Sequence, residues 1–327
     1  MMLQTVNRQL ERFMPFITPV SVILGVIFAD HLLIFSFLIP WIFAFITFSG
    51  SLNSNFASLK GVIKSPLPLL IILLLLHIVM PVIAWFAGHF LFVNDHFTVT
   101  GLVLAAVIPT GITSFIWVTI YKGNAVLALS IILFDTILSP FLVPHTLSFL
   151  VGQKVEIDTF SIMKGLIYMV VLPSIIGMLI NHLSKGKSVN ISKTLAPFAK
   201  LGLASVVMIN GAVVAPYLKV ITSKLVVIAI TVFILAFIGY LLAWLVGNWL
   251  NRDRETKVAM IFTGGMRNIS AGAVIAVQYF PPAVAVPVIV GMLFQQILAS
   301  IFGFLFKKFE DRKVHSRKQL ANNVSAS

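Results

Sequence analysis

Ten apolar stretches separated by short polar links run through this chain, and they constrain its fold more than any other feature. An α-helix needs about 20 mostly apolar residues to cross a bilayer, so each stretch is a candidate span. Only 10% of the 327 residues are charged, against about 25% in an ordinary soluble domain. We therefore predict an all-α polytopic membrane protein with about ten transmembrane helices and exclude a soluble enzyme. The stretches cover residues 14–29, 32–50, 66–92, 100–121, 124–151, 159–183, 194–218, 223–250, 256–279 and 283–306.

The distribution of basic residues predicts how these spans are oriented. With ten spans both termini lie on one side, which collects seventeen of the 23 Lys and Arg residues, whereas four fall on the other side. By the positive-inside rule both termini are cytoplasmic, and the net charge of +13 reflects topology rather than nucleic-acid binding. The two remaining basic residues, Lys200 and Arg267, lie within spans, and Lys200 is expected to snorkel to the cytoplasmic surface. The short loops and the absence of cysteine suit a bacterial cytoplasmic membrane.

A short sequence echo predicts an internal repeat. Residues 84–91 (AWFAGHFL) and 243–250 (AWLVGNWL) share Ala, Trp, Gly and Leu at the same spacing, five spans apart. Each is followed by a span with a helix-breaking centre, Pro109-Thr110-Gly111 in the fourth and Gly264-Gly265 in the ninth. Repeats of five spans have opposite orientations, and paired broken spans mark the substrate site of transporters built in this way.

The predicted organisation follows from this echo. The predicted segments are a first five-helix repeat (1–152), a second, inverted repeat (153–308) and a disordered basic cytoplasmic tail (309–327).

Two charged residues fall near the middle of their spans, Asp135 in the fifth and Arg267 in the ninth. Each costs about 2.5–3.5 kcal/mol at that depth if it is left unpaired. One interpretation is a structural ion pair between them. The other is a functional site, because a guanidinium binds a carboxylate substrate in a bidentate manner and an intramembrane aspartate can carry a proton.

Polar groups near the two breaks complete the predicted site. The helices that restart after each break direct the positive ends of their dipoles inward, which favours an anion. A hydrogen bond to the helix backbone or to a neighbouring helix is the alternative role for each neutral side chain. The predicted substrate-binding residues are Arg267, Asn268, Thr113, Ser114 and Asn210, and the predicted coupling residues are Asp135, His77, Thr263, Gly264, Met266 and Gln295.

Several motifs resemble the bile acid:sodium symporter family over about residues 10–306. The resemblance implies a panel domain (spans 1, 2, 6 and 7) beside a core domain (spans 3–5 and 8–10) in which the interrupted helices cross. It also implies uptake of an organic anion by alternating access, usually driven by sodium. The motifs are Phe48-Ser49-Gly50-Ser51-Leu52, Phe56–Lys60, Pro66-Leu67-Pro68, Met80-Pro81, Pro109–Ser114 and Gly264–Asn268.

The chain departs from the family pattern at the ion sites. Sodium-coupled members usually carry an acid at the position of Thr263 and glutamine at the position of Arg267, and they differ also at Phe115 (asparagine) and His77 (glutamine). An acid is thus lost and a cation gained, so Arg267 could take the electrostatic role of a bound sodium ion. We expect reduced or lost sodium dependence, with proton coupling through Asp135 or His77 in its place. The alternative is a sodium ion held by Ser114, Thr263, Gly264 and Met266.

The sequence predicts a secondary active transporter of a small organic anion, with the lipid bilayer as its surroundings and no cofactor beyond a coupling ion, Na⁺ or H⁺. Bile-acid-like steroids, keto acids, pantoate-like acids and sulfated compounds all fit this description. A proton-coupled or uncoupled carrier of the same fold is the closest alternative, and a channel is less favoured. An intramembrane enzyme is not expected, because the chain lacks clustered intramembrane aspartates and a Gly-x-Ser-Gly turn.

Overall fold

The computed structural model describes residues 16–54 and 66–325, with side chains up to residue 310. Within these ranges the chain is helical and contains no strand. Eight helical segments, counting α10 and α11 as one, are long and apolar enough to cross a membrane, and α1 and α4 are shorter apolar helices. This confirms the predicted all-α polytopic fold. The helices are α1 (Phe16–Ile27), α2 (Ala29–Ser51), α3 (Pro66–Leu91), α4 (His96–Val107), α5 (Thr113–Ile120), α6 (Ala125–Val151), α7 (Thr159–Leu183), α8 (Ser188–Val213), α9 (Ser223–Trp249), α10 (Arg254–Gly265), α11 (Ile269–Tyr279) and α12 (Pro282–Ser325).

Some sequence features fall outside this description. They are Arg8, Arg12, Lys60 and Lys64 of the charge bias and the Phe56–Lys60 motif. The predicted tail falls partly outside, since side chains beyond residue 310 are not described. Helix α12 is assigned as far as Ser325, and the disordered tail stays a prediction. The sequence after Gly303 contains no further Gly or Pro to end the helix.

Contacts between loops agree with the ten-span interpretation. Asp95 and Lys224, which that interpretation places on one face, form a salt bridge of 2.7 Å between Oδ2 and Nζ. On the opposite face, Asn181 Nδ2 donates a hydrogen bond of 2.7 Å to the carbonyl of Leu52. The loops therefore meet in the pairs that alternating spans require. That the second face is cytoplasmic remains a prediction from the charge bias.

The helices pack as two groups. In the first, which we call the panel, α2 packs on α7 and α8, and α1 joins through Gly25, whose lack of a side chain lets it approach the α8 backbone. The second group, which we call the core, contains α3–α6 and α9–α12. Helices of the core also pack against the panel, α6 against α7 and α11 against α7 and α8. This division matches the panel and core that the family resemblance implies.

Both predicted helix breaks are present, and each has a local cause. Helix α4 ends at Val107 because the residue before Pro109 avoids the helical region, and Ile108 is extended with φ −58° and ψ 145°. Helix α10 ends at Gly265, after which Met266 is extended with φ −93° and ψ 139°. The chain then re-enters a helix at Asn268, whose side chain caps α11.

Two helices widen into a π turn just before a proline. In α3 the turn covers Leu75–Val79 and precedes Pro81, and in α7 it covers Ile167–Val171 and precedes Pro173. Proline has no N–H to donate to the preceding turn, so a wider turn accommodates the missing bond. The π turn in α3 contains His77.

The packing of α1 on α8 gives a test of the panel. A Cβ at Gly25 would collide with the carbonyl of Met208, whereas a Cβ at Gly50 would meet no atom within 4 Å. We expect Gly25→Ala to destabilise the protein by about 1–3 kcal/mol through overpacking. The matched control Gly50→Ala should be neutral or stabilising by up to about 1 kcal/mol. Thermal unfolding in detergent measures both, and equal midpoints for the two variants would contradict the close approach.

Candidate functional site

The two helix breaks contact each other directly. Thr110 Oγ1 donates a hydrogen bond of 3.0 Å to the carbonyl of Met266, and the amide of Asn268 donates one of 2.7 Å to the carbonyl of Pro109. Unwound backbone inside a bilayer must find partners within the protein, and here each break supplies partners for the other. We call this region, residues 108–112 and 266–268, the crossing. A Cβ at Gly111 would lie 3.0 Å from the Arg267 carbonyl, so the close approach favours glycine there.

A cavity of about 680 Å³ lies between the panel and the core, with the crossing in its wall. Polar side chains line it at the crossing, on α6 and α12 and also on the panel, and the rest of the wall is mostly apolar. Four of the predicted site residues line it: Thr113, Arg267, Asn268 and Gln295. The other polar lining residues are Thr18, Thr47, Ser51, Ser54, Thr110, Thr136, Ser174, Lys200, Ser270 and Gln296.

The cavity extends from the crossing toward one membrane face. Its lining includes Gly50, Ser51 and Ser54 at the end of α2 and Ile120 at the end of α5, on the face that the charge bias predicts to be cytoplasmic.

Helix α11 packs against the panel on the other side of the crossing. Gln278 Nε2 donates a hydrogen bond of 3.3 Å to the carbonyl of Ser36 in α2. The Tyr279 hydroxyl lies so close to Gly165 in α7 that a Cβ there would collide with it. The core and the panel are thus apart at one face and in contact at the other.

Arg267 is bound to backbone carbonyls of the core. It is 6% exposed, and its Nε donates to the carbonyl of Ala106 (3.0 Å) while Nη1 donates to that of Gly264 (2.8 Å). Its own amide donates to Gln295 Oε1 at 3.0 Å. The residue also lines a second cavity of about 50 Å³ beside Tyr240. These bonds hold a positive charge in a fixed position at the crossing.

Asp135 does not form the direct ion pair with Arg267 that one interpretation of the sequence predicted. Its Oδ1 lies 2.5 Å from His77 Nε2, and its Oδ2 accepts a hydrogen bond of 2.6 Å from the amide of Thr110. Asp135 is fully buried and His77 is 5% exposed. The structure therefore pairs the two residues predicted to carry protons and connects them to the first break.

Three of the four groups predicted to hold sodium have hydrogen-bond partners within the protein, and the sodium site stays a prediction. The carbonyl of Gly264 accepts from the guanidinium of Arg267, and that of Met266 accepts from the crossing. Thr263 Oγ1 donates within its own helix. Only Ser114 Oγ, which is buried, has no hydrogen-bond partner among the described side chains. The guanidinium of Arg267 thus places a positive charge on one of the carbonyls predicted to bind sodium.

Asn210 lies outside both cavities, and its role in substrate binding stays a prediction. It is fully buried, and its side-chain oxygen and nitrogen have no partner among the described residues. Lys200, Leu203 and Val207 of the same helix line the large cavity, and Asn210 continues that face at helical spacing. Its amide thus lies one turn beyond the cavity.

Lys200 is the charged residue of the cavity lining that was not among the predicted site residues. It was expected to snorkel to the surface, whereas it is half-buried and lines the cavity on the panel wall. The helical spacing of Lys200, Leu203 and Val207 places the three on one face. No sequence signal showed that this face is turned toward the crossing.

The contact between the breaks can be tested by removing one of its hydrogen bonds. Thr110→Val leaves the buried carbonyl of Met266 without that donor, so we expect a loss of about 1–3 kcal/mol in stability. Thr119→Val is the matched control, because Thr119 Oγ1 is exposed and bonds only to its own helix, and it should change stability by less than about 0.5 kcal/mol. Unfolding in mixed micelles measures the difference, and equal stability of the two variants would show that the bond is unimportant.

Comparisons with known proteins agree with the resemblance found in the sequence. Residues 40–224 match the family described as "Sodium Bile acid symporter family". The chain is 54% identical over 298 residues to a Bacillus subtilis protein named "Uncharacterized protein YbaS", covering 91% of this chain and 97% of that one. It is 23% identical over 300 residues (89% and 92%) to the B. subtilis protein "Uncharacterized sodium-dependent transporter YocS". It is 26% identical over 253 residues to "Probable sodium/metabolite cotransporter BASS1, chloroplastic" of Arabidopsis thaliana, covering 76% of this chain and 62% of that protein. The chain belongs to the sodium bile acid symporter family.

Proposed function

We propose that this protein is a secondary active transporter that carries a small organic anion across the membrane by alternating access. In this proposal the fixed charge of Arg267 replaces a bound sodium ion. The observation that carries it is the cavity of about 680 Å³ at the crossing of two broken helices. Ligand cavities for small molecules have volumes of about 300–1,000 Å³.

The electrostatics of this cavity favour an anion. Helices α5 and α11 begin at the crossing, at Thr113 and Ile269, and the positive end of a helix dipole attracts negative charge. Arg267 adds a full positive charge at the crossing, and Lys200 adds another on the opposite wall. The apolar remainder of the wall suits the hydrocarbon part of an organic acid. Asn268 and Thr113 supply neutral hydrogen-bonding groups beside the charge.

The position of the cavity supports alternating access rather than a continuous pore. The cavity reaches one face, while Gln278 and Tyr279 of α11 contact the panel toward the other face. Movement of the core against the panel would open the second side and close the first. The predicted inverted repeats (1–152 and 153–308) would supply two related conformations. A channel, the less favoured alternative, needs no such closure.

Two of the relatives' names include sodium, whereas we propose that this chain does not depend on sodium. YocS is named a sodium-dependent transporter and BASS1 a sodium/metabolite cotransporter. Here the carbonyl of Gly264 binds the guanidinium of Arg267, and Thr263 stands where sodium-coupled members carry an acid. Because Arg267 is a permanent cation, a bound sodium ion is not needed to neutralise the anion. We place the protein in the cytoplasmic membrane of a bacterium, with both termini in the cytoplasm.

Transport in proteoliposomes tests the function directly. Thermal-shift screening against taurocholate, pantoate, pyruvate and a sulfated steroid, in sodium or choline buffer, selects the anions that stabilise the protein. Uptake of the radiolabelled anion is then measured with sodium and proton gradients imposed separately. We expect stabilisation and uptake that are the same in sodium and in choline. Accumulation that requires sodium would contradict the replacement by Arg267, and the absence of both stabilisation and exchange would contradict the carrier.

Restoring the residues typical of sodium-coupled members should restore sodium binding. The double variant Thr263→Glu/Arg267→Gln removes the guanidinium, which frees the carbonyl of Gly264, and adds a carboxylate. Carbonyl and carboxylate oxygens are the ligands that a hard cation prefers. We expect sodium chloride, but not choline chloride, to raise the melting temperature of this variant, whereas the wild type responds equally to both salts. A sodium response in the wild type that is as large as that of the variant would contradict the prediction.

The second cation of the cavity gives a test of anion binding. We expect Lys200→Gln to weaken the anion's affinity about tenfold, or about 1.4 kcal/mol, because one charge is lost from the wall. Lys200→Arg should keep most of the affinity. Lys193→Gln is the control, since Lys193 is exposed on the same helix and does not line the cavity. Equal losses at Lys200 and Lys193 would assign the effect to general surface charge.

A further inference from the structure

We propose that His77 and Asp135 form a proton-binding site whose occupancy controls the position of the first helix break, so that proton uptake and release accompany the movement of the carrier. This inference rests on the proposed function, since it names the ion that drives it. The ligand is a proton, which the pair exchanges with the solution on whichever side the cavity faces.

The first argument is the burial of the pair. Asp135 is fully buried and His77 is 5% exposed, and they lie 2.5 Å apart between Oδ1 and Nε2. A buried carboxylate and imidazole in such contact exchange protons as one unit rather than as two independent groups. Ionisable residues placed inside membranes are costly and commonly mark proton pathways.

The second argument is the direct connection to the crossing. The other oxygen of Asp135 accepts from the amide of Thr110 at 2.6 Å, and Thr110 Oγ1 donates to the carbonyl of Met266 at 3.0 Å. A hydrogen bond to a carboxylate is stronger than one to a neutral carboxylic acid. Protonation of the pair therefore loosens the hold on the first break, and the same residue transmits the change to the second break.

The third argument is the setting of His77. It lies in the π turn of α3, a type of turn that is frequent at functional sites. Its Nδ1 is buried and has no hydrogen-bond partner among the described residues. When Nε2 carries the proton shared with Asp135, Nδ1 is a bare acceptor that can bind a second proton. The shared proton then passes from Nε2 to Oδ1, which leaves a neutral imidazole beside a carboxylic acid.

The fourth argument is a route for the proton. The large cavity is lined by Thr110, whose amide contacts Asp135, and by Thr136, which follows Asp135 in the chain. Asp135 is thus separated from the cavity by one layer of the wall. Movement of the first break is sufficient to expose it.

The charges around the pair explain how proton and anion would be linked. Arg267 interacts electrostatically with Asp135 and with Tyr240 of α9, and Lys200 faces the crossing from the panel wall. Addition of a proton raises the net positive charge beside the cavity and so favours the anion, which gives symport. Elsewhere on α6 and on the other helices packed against it, the ionisable side chains lie at helix ends or on the outer surface: His145, His96, Lys164, Tyr168, His182, Arg254, Glu255 and Lys257.

Cysteine accessibility tests the proposal without any transported anion. The chain has no cysteine, so Ser174→Cys in the panel wall of the cavity reports whether the cavity is accessible to a polar maleimide. The rate is divided by that of the exposed Ser223→Cys at each pH, which removes the pH dependence of the thiol itself. We expect this relative rate to change by a factor of about three or more between about pH 5.5 and pH 8.5.

The variants then assign the change to the pair. In the Ser174→Cys background, Asp135→Asn should hold the relative rate near its low-pH value, because an amide resembles the protonated acid. His77→Gln should remove the pH dependence, and glutamine at this position is typical of the family, so this variant keeps the test valid if Asp135→Asn does not fold. His89→Gln is the matched control, since His89 is an exposed histidine of the same helix. The pH dependence of the labelling rate in this variant should equal that of the wild type.

Infrared difference spectroscopy adds a direct measurement of the proton. A carboxylic acid band should appear when the reconstituted protein is brought from high to low pH, and it should be absent in Asp135→Asn. A flat rate profile in the wild type, or a profile that His77→Gln leaves unchanged, would overturn the proposal. A negative result in these two measurements would contradict the proton site but not anion transport. A lack of anion uptake in proteoliposomes would contradict the carrier but not the proton site.

Discussion

The structure depends on how unwound backbone is satisfied inside a membrane. A bilayer interior offers no water to free amides and carbonyls, so a broken helix is stable there only beside another polar partner. Each of the two breaks supplies that partner, through the Thr110–Met266 and Asn268–Pro109 hydrogen bonds. Neither half of the crossing would be stable alone. The cavity wall, the inward-pointing helix ends and the buried charges all take their positions from this contact.

Charge at the crossing is organised in two layers. Arg267 is held by carbonyls of the core and contributes a constant positive charge. Behind the first break lies the buried His77–Asp135 pair, which we propose as the site of the coupling proton. In sodium-coupled members of the family an acid and a glutamine occupy the positions of Thr263 and Arg267. In the proposed function, these two differences replace a sodium ion taken from solution by a cation that belongs to the protein.

Much of this architecture could be predicted from the sequence, because it depends on local patterns. Apolar stretches gave the spans, Pro109 and Gly264-Gly265 gave the two breaks, and four predicted residues do line the cavity. Partners of buried groups could not be predicted in the same way. Asp135 pairs with His77 rather than Arg267, and Lys200 faces the cavity. Such choices depend on how each helix is rotated about its axis and on where the π turn in α3 falls, which periodicity alone does not fix.

The contact between Tyr279 and Gly165 has a consequence for turnover. Because Gly165 has no side chain, the ring of Tyr279 in α11 packs directly against the backbone of α7. Separation of the core from the panel at this face would require the ring of Tyr279 to move away from Gly165. In the proposed cycle, the close fit between Tyr279 and Gly165 would add to the barrier to opening this face, independently of how tightly the anion binds.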